Sequence, residues 1–154
     1  MNSDVTFAKP FINATSNVLS TMAGITPVPS APFVKKDNIA CGDVSAIIGI
    51  TGEKRGSISV TFTKKCAVAL VRAMLGDDIQ DIVSDTKDAV GEICNMISGQ
   101  ARVGLADMGF KFDGSTPSVI MGDNHTLSHV TSSPVIAVPF STDHGDFTLE
   151  FCFG

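Results

Sequence analysis

Glu92 and Asn95 stand three residues apart in a stretch of helical periodicity, which puts a carboxylate and a side-chain amide side by side on one helix face. An amide offers one hydrogen-bond acceptor and a pair of donors but is a poor base, so the chemistry open to it is positioning, such as holding a water in place. Gly99, one turn further on, leaves room for another surface to come close. The spacing alone is a weak signal, because Glu-x-x-Asn arises by chance about once in a few hundred positions. The same two residues would equally serve to solvate an outward helix face.

The other candidates for chemistry fall away on inspection. His125 and His129 are four apart, a metal-ligand spacing only on a helix, whereas Gly122-Asp123-Asn124 reads as a turn entering a strand, so no metal site is expected there. His144 lies in the hairpin segment Asp143-His144-Gly145-Asp146 and is expected to be exposed. Ser133 and the serines near these histidines lack the context of a nucleophile elbow. Gly42-Asp43 and Gly76-Asp77-Asp78 read as turns, and neither leads from a strand into a phosphate-cradling helix. Asp77, Asp78, Asp81 and Asp85 read as a solvated connector without EF-hand spacing.

These residues sit in a chain of 154 residues, enough for one domain with a core that needs no staples. Apolar residues make up 44% and charged residues 18%, the latter below the usual share of about 25%. Eleven Lys and Arg against 16 Asp and Glu give a net charge of -5, and no basic run exceeds the pairs Lys35-Lys36 and Lys64-Lys65. Phosphate-backbone binding needs clustered cations, so nucleic acid is not an expected partner. No apolar run approaches the roughly 18 residues of a membrane span, and Met1 to Lys9 shows no basic segment followed by an apolar core, so a cytoplasmic protein without a membrane partner is expected. Cys41, Cys66, Cys94 and Cys152 form no C-x-x-C pair and read as small core residues in a reducing compartment.

Periodicity predicts a helix from about Phe7 to Met22, with Pro10 in its first turn and Gly24 at its end, then an extended or turning stretch from Thr26 to Pro32. Ala46 to Ile50 reads as a buried strand, and Ser57 to Phe62 alternates as a half-buried strand should. Thr63 caps a short helix from Lys64 to Leu75 that Gly76 ends. The longest helix, capped by Ser84 or Asp85, runs to about Met108 and buries Val90, Ile93, Cys94, Ile97, Ala101, Leu105 and Met108. Strands follow around Ser118 to Met121, Leu127 to Val130, Val135 to Phe140 and Asp146 to Phe153.

The two halves line up. Gly56 to Phe62 matches Gly145 to Phe151 in apolar phase, each after a strand and a hairpin, and Met22-Ala23-Gly24-Ile25 matches Met108-Gly109-Phe110. The expected architecture is α+β in layers: an internally duplicated unit of one helix and about three strands, an antiparallel sheet covered by the long helices, and pseudo-twofold symmetry. One domain, 1–154, would hold half-repeats of about 1–63 and 84–154 with a bridging helix at about 64–76.

The run Asp88-Ala89-Val90-Gly91-Glu92-Ile93-Cys94-Asn95-Met96-Ile97-Ser98-Gly99-Gln100 resembles the signature helix of the CheC, CheX and FliY family of chemotaxis phosphatases. The opening Lys9-Pro10-Phe11-Ile12 through Val18-Leu19-Ser20-Thr21-Met22 resembles the first helix of the CheX branch, and the likeness covers nearly the whole chain. CheC-type members carry Glu-x-x-Asn in both long helices. Superposing the first helix on the second puts Asn17 on Asn95 but Ala14 on Glu92, so one complete site remains, as in the CheX branch.

The resemblance implies hydrolysis of the aspartyl phosphate of a CheY-like response regulator by a homodimer, in chemotaxis or two-component signalling. In that role Asn95 orients the water, Glu92 pairs with a regulator lysine, and Asp88, Gly91, Met96 and Gly99 touch the partner. No cofactor of its own is expected, since the phosphorylated regulator supplies the divalent ion, Mg2+. The alternative is a non-catalytic receiver-binding or flagellar-switch adaptor that uses the same helix.

Overall fold

The computed structural model describes residues 2–37, 39, 40, 42–122, 125, 129 and 134–153. Two hairpins of alternating sequence build its centre. β3 (Val44–Gly52) turns into β4 (Gly56–Phe62), and β7 (Val135–Thr142) into β8 (Gly145–Phe153); β4 and β8 then pair antiparallel, with Val60 directly opposite Leu149. Aligning Gly56 with Gly145 makes Val60 and Leu149 equivalent, so the local twofold passes between these two side chains.

The remaining strands cross over. β1 (Val28–Pro29) and β2 (Phe33–Lys35) pair with β7, while β5 (Phe112–Gly114) and β6 (Ser118–Met121) pair with β3. The sheet is antiparallel throughout, in the order β1-β7-β8-β4-β3-β5, with β2 also on β7 and β6 also on β3. Each half thus lends its leading strands to the other half's hairpin, and the α+β duplication read from the sequence becomes a single interlocked sheet.

Three helices, α1 (Asn2–Ala23), α2 (Lys64–Leu75) and α3 (Ile82–Asp107), pack on one face. Period-two alternation sends Ile58, Val60 and Phe62 from β4, and Phe147, Leu149, Phe151 and Phe153 from β8, toward them. Aromatic pairs fasten α1 to this face: Phe11 stacks on Phe151 at 4.7 Å between centroids, and Phe7 meets Phe153 edge-on at 5.0 Å. The cap of α2 is as read, since Thr63 Oγ1 accepts from Cys66 N and Gly76 closes the helix at φ 54.

Three readings are corrected. Pro10 lies inside α1, because residues before it are already helical; its ring packs against α3, where a Cβ on Gly104 would stand 3.2 Å from Pro10 Cβ. β4 is buried on both faces, not one, since it lies in the middle of the sheet and its outer residues Ser57, Ser59 and Thr61 are covered. Met108 is the C-cap of α3 and 38% exposed, one residue past the buried stripe. Cys66, Cys94 and Cys152 are buried as expected. Cys41, and the strand predicted at Leu127 to Val130 apart from His129, lie outside the described residues.

Candidate active site

The face that carries Glu92 is set by the residues beneath it. Val90, Ile93, Cys94, Ile97, Ala101 and Leu105 are buried against the sheet, and the Cys94 thiol reaches the Ala46 carbonyl at 3.6 Å. Burial pushes that thiol up to about 12, so it has no role as a nucleophile. With this stripe fixed inward, Glu92 and Asn95 must face out, and both are exposed. No hydrogen bond or ion pair within the described residues engages either side chain, so each is available to a partner.

The helix starts earlier than the sequence suggested. Asp81, not Ser84 or Asp85, is the N-cap: its Oδ1 accepts from Val83 N at 3.0 Å and Ser84 N at 3.2 Å. Asp85 Oδ2 reaches back to accept from Gln80 N at 2.8 Å and Asp81 N at 3.2 Å. Two of the four aspartates assigned to a solvated connector therefore fasten the start of the site helix.

Asn95 and Glu92 line a groove of about 490 Å³ between α3 and the β5–β6 connection, together with Lys87, Asp88, Gly91, Thr116, Pro117 and Val119. A second, smaller groove of about 330 Å³, bounded by Met74, Leu75, Asp85, Asp88 and Ala89, lies on the other side of Glu92. Glu92 thus stands on a ridge between two depressions. Gly91 is buried beneath the first, and a Cβ there would come 3.3 Å from Val119 Cγ2, so its bareness lets β6 approach the helix. Gly99 is different: a Cβ there would meet nothing closer than Arg102 Nη2 at 4.0 Å. Met96 is half-buried against the core and Asp88 is exposed.

A larger groove, about 680 Å³, runs between α1 and α3 past Lys9, Pro10, Asn13, Ala14, Asn17, Gln100, Gly104 and Met108. It holds the position equivalent to the Glu92 pair, but Ala14 is buried there and Asn17 Nδ2 donates to Gln100 Oε1 at 2.8 Å. With no carboxylate and its amide engaged, this side has lost the constellation that α3 keeps.

On the sheet's other face the structure assembles groups that sequence spacing could not connect. His129 Nδ1 lies 2.6 Å from Ser57 Oγ, His129 Nε2 lies 3.1 Å from Glu150 Oε1, and Lys35 Nζ lies 2.8 Å from Glu150 Oε2. Burial raises the Glu150 carboxyl, but hydrogen bonds from His129 and Lys35 and their charge outweigh it and hold it below its ordinary value. Serine, histidine and carboxylate in line suggest a nucleophile, yet Ser57 is fully buried in a central strand and Glu150 is neutralised by Lys35. The cluster holds His129 and Lys35 against β4 and β8. His125 meets a different strand, its Nε2 at 2.6 Å from Ser45 Oγ on β3. Among the described residues no group of three or more His, Cys, Asp or Glu side chains could hold a metal ion. His144 is exposed at the β7–β8 turn, as read.

The family model for chemotaxis phosphatase CheX matches residues 44–141, well over half of the chain, including all of α3. The chain belongs to the CheX family. A curated relative, the CheY-P phosphatase CheX of Thermotoga maritima, is 26% identical over 149 residues, covering 96% of this chain and 95% of its own. The crystal structure of CheX from Desulfovibrio desulfuricans is similar at 71% identity and a TM-score of 0.92, covering 97% of this chain and 99% of that one. The CheX–CheY–BeF3–Mg2+ complex of Borrelia burgdorferi contains a CheX that is 27% identical at a TM-score of 0.76, covering 96% of this chain and 97% of its own.

Proposed function

We propose that this member of the CheX family hydrolyses the aspartyl phosphate of a CheY-like response regulator through Glu92 and Asn95. The observation that carries this is the pair itself: exposed, unengaged and adjacent over an open groove on a rigid helix. An aspartyl phosphate is an activated acyl phosphate, so the helper need only align a water in line with the phosphorus. The Asn95 carbonyl accepts from the water while its NH2 donates to a phosphoryl oxygen, and Glu92 pairs with a regulator lysine to fix the register. A hundredfold acceleration requires about 2.7 kcal/mol, within reach of positioning alone. Mg2+ belongs to the regulator in this scheme; the Borrelia complex contains beryllofluoride and Mg2+ together with CheX and CheY.

The test is phosphate release from a phosphorylated receiver. Asn95→Ala abolishes the acceleration with the circular dichroism spectrum and thermal midpoint unchanged, because the side chain is exposed and makes no hydrogen bond within the described residues. Acceleration equal to wild type in that variant overturns the mechanism, and binding without acceleration by the wild-type protein makes it an adaptor. We also propose a cytoplasmic homodimer. The outer edge beside β7 exposes Val28, Phe33 and Val34 by about half or more, an apolar strip suited to a second copy and checked by light scattering.

A further inference from the structure

Arg102 lies seven residues beyond Asn95, two turns along the same flank of α3, with Gly99 between them. Helical side chains lean toward the N-terminus, so its guanidinium is carried back over the preceding turn toward Asn95. Nη2 stands 4.0 Å from where a Cβ on Gly99 would be, and Nε and Cζ stand 3.2 and 3.3 Å from where a Cβ on Gly114 would be. The bareness of Gly114 on β5 makes the slot in which the guanidinium lies, and Gly99 of the site helix borders it.

Nothing in the described residues answers its charge. Nε is buried without an acceptor, Ser98 Oγ beside the same slot is also buried without a partner, and no ion pair reaches Arg102 in a chain with more acidic than basic residues. Half-burying a cation without an anion costs hydration and returns nothing inside the fold. Nor does a clash require Gly99, since a Cβ there would meet nothing closer than Arg102 Nη2 at 4.0 Å, an ordinary contact distance, while a glycine in a helix interior weakens the helix relative to alanine. Both residues make sense together as a surface built for contact with something else.

We infer that Arg102 is a recognition residue for an anionic oxygen on the bound receiver, either a surface carboxylate or the phosphoryl group. This rests on the reading of Glu92 and Asn95 as the docking face. Glu92 and Arg102 then form a dipolar clamp: a carboxylate that meets a cation and, about 15 Å along the helix, a guanidinium that meets an anion. Two opposite charges at fixed separation set the direction in which the receiver lies along α3, which one ion pair cannot do.

The experiment compares wild type, Arg102→Gln, Arg102→Lys and Asn95→Ala for dephosphorylation of a phosphorylated receiver, at low and high salt. Arg102→Gln lowers kcat/KM about 10- to 100-fold, Arg102→Lys recovers part of the loss, and the glutamine variant loses part of the salt dependence of the wild type, the Glu92 pair keeping the rest. A carboxylate ligand shows as a raised KM with kcat kept and as weaker binding of the unphosphorylated receiver too. A phosphoryl ligand shows as a fall in kcat, or as weaker binding of the phosphorylated form alone. Arg102→Gln kinetics within twofold of wild type overturn the inference, as does a loss that is equal at both salt concentrations or is not eased by lysine. If Asn95→Ala keeps full activity, the underlying site reading has failed instead.

Discussion

Lys35 and Glu150, from an outer and a central strand, form an ion pair of 2.8 Å in which both side chains are at least 95% buried. Removing the ammonium leaves a buried carboxylate with only His129, among the described residues, to answer it, so Lys35→Met is expected to lose about 3–5 kcal/mol at pH 7, measured by urea unfolding. The pH dependence has a fixed sign. The folded-state value of Glu150 is depressed, so its contribution is present above the ordinary value of 4.5 and is lost as the pH falls through the folded value. The gap between wild type and Lys35→Met should therefore shrink when unfolding is repeated at acid pH, and a gap independent of pH would refute this account.

Gly104 and Gly99 occupy the same helix, yet alanine should act on them in opposite directions. At Gly104 the new Cβ would stand 3.2 Å from Pro10 Cβ on a rigid ring, pushing α1 from α3, with an expected loss of about 1–3 kcal/mol. At Gly99 it would meet nothing closer than Arg102 Nη2 at 4.0 Å, an unstrained contact, and the helix should gain about 0.5–1 kcal/mol. Thermal unfolding of the two variants checks the ordering. If the exposed face serves the receiver, Gly99→Ala becomes more stable and less active together.

Asp81 holds the first turn of the helix that presents the site. Asp81→Ala frees Val83 N and Ser84 N, and should cost about 1 kcal/mol, with Asp81→Asn close to wild type because the amide oxygen can still accept. Chemical denaturation measures it. Equal losses in the two variants would show that charge, not the cap hydrogen bonds, carries the effect.

Much of this was legible in the residues. The alternation of Ser57 to Phe62 and its echo in Asp146 to Phe153 announced two matching hairpins, and the stripe from Val90 to Leu105 fixed which face of the long helix must carry Glu92 and Asn95. Local signals end where partners are distant. Nothing near Phe33 says that its strand will pair with Ala137, and Ser57, His129, Glu150 and Lys35 meet only because four separate segments converge. Asp81 was missed because Ser84 and Asp85 are equally good caps by type, and only geometry selects among them. Arg102 was missed because the significance of a cation lies in what fails to stand beside it.

The exchange of leading strands between the halves also bears on how the chain comes off the ribosome. β1 and β2 are made before both central helices and four further strands, and only then comes their partner β7. The first half can form its own hairpin at once, whereas Phe33 and Val34 must wait, apolar and unpaired, until β7 has been made. The period of greatest risk for this molecule is therefore the interval before its final hairpin emerges, when half of it is complete in sequence and unfinished in structure.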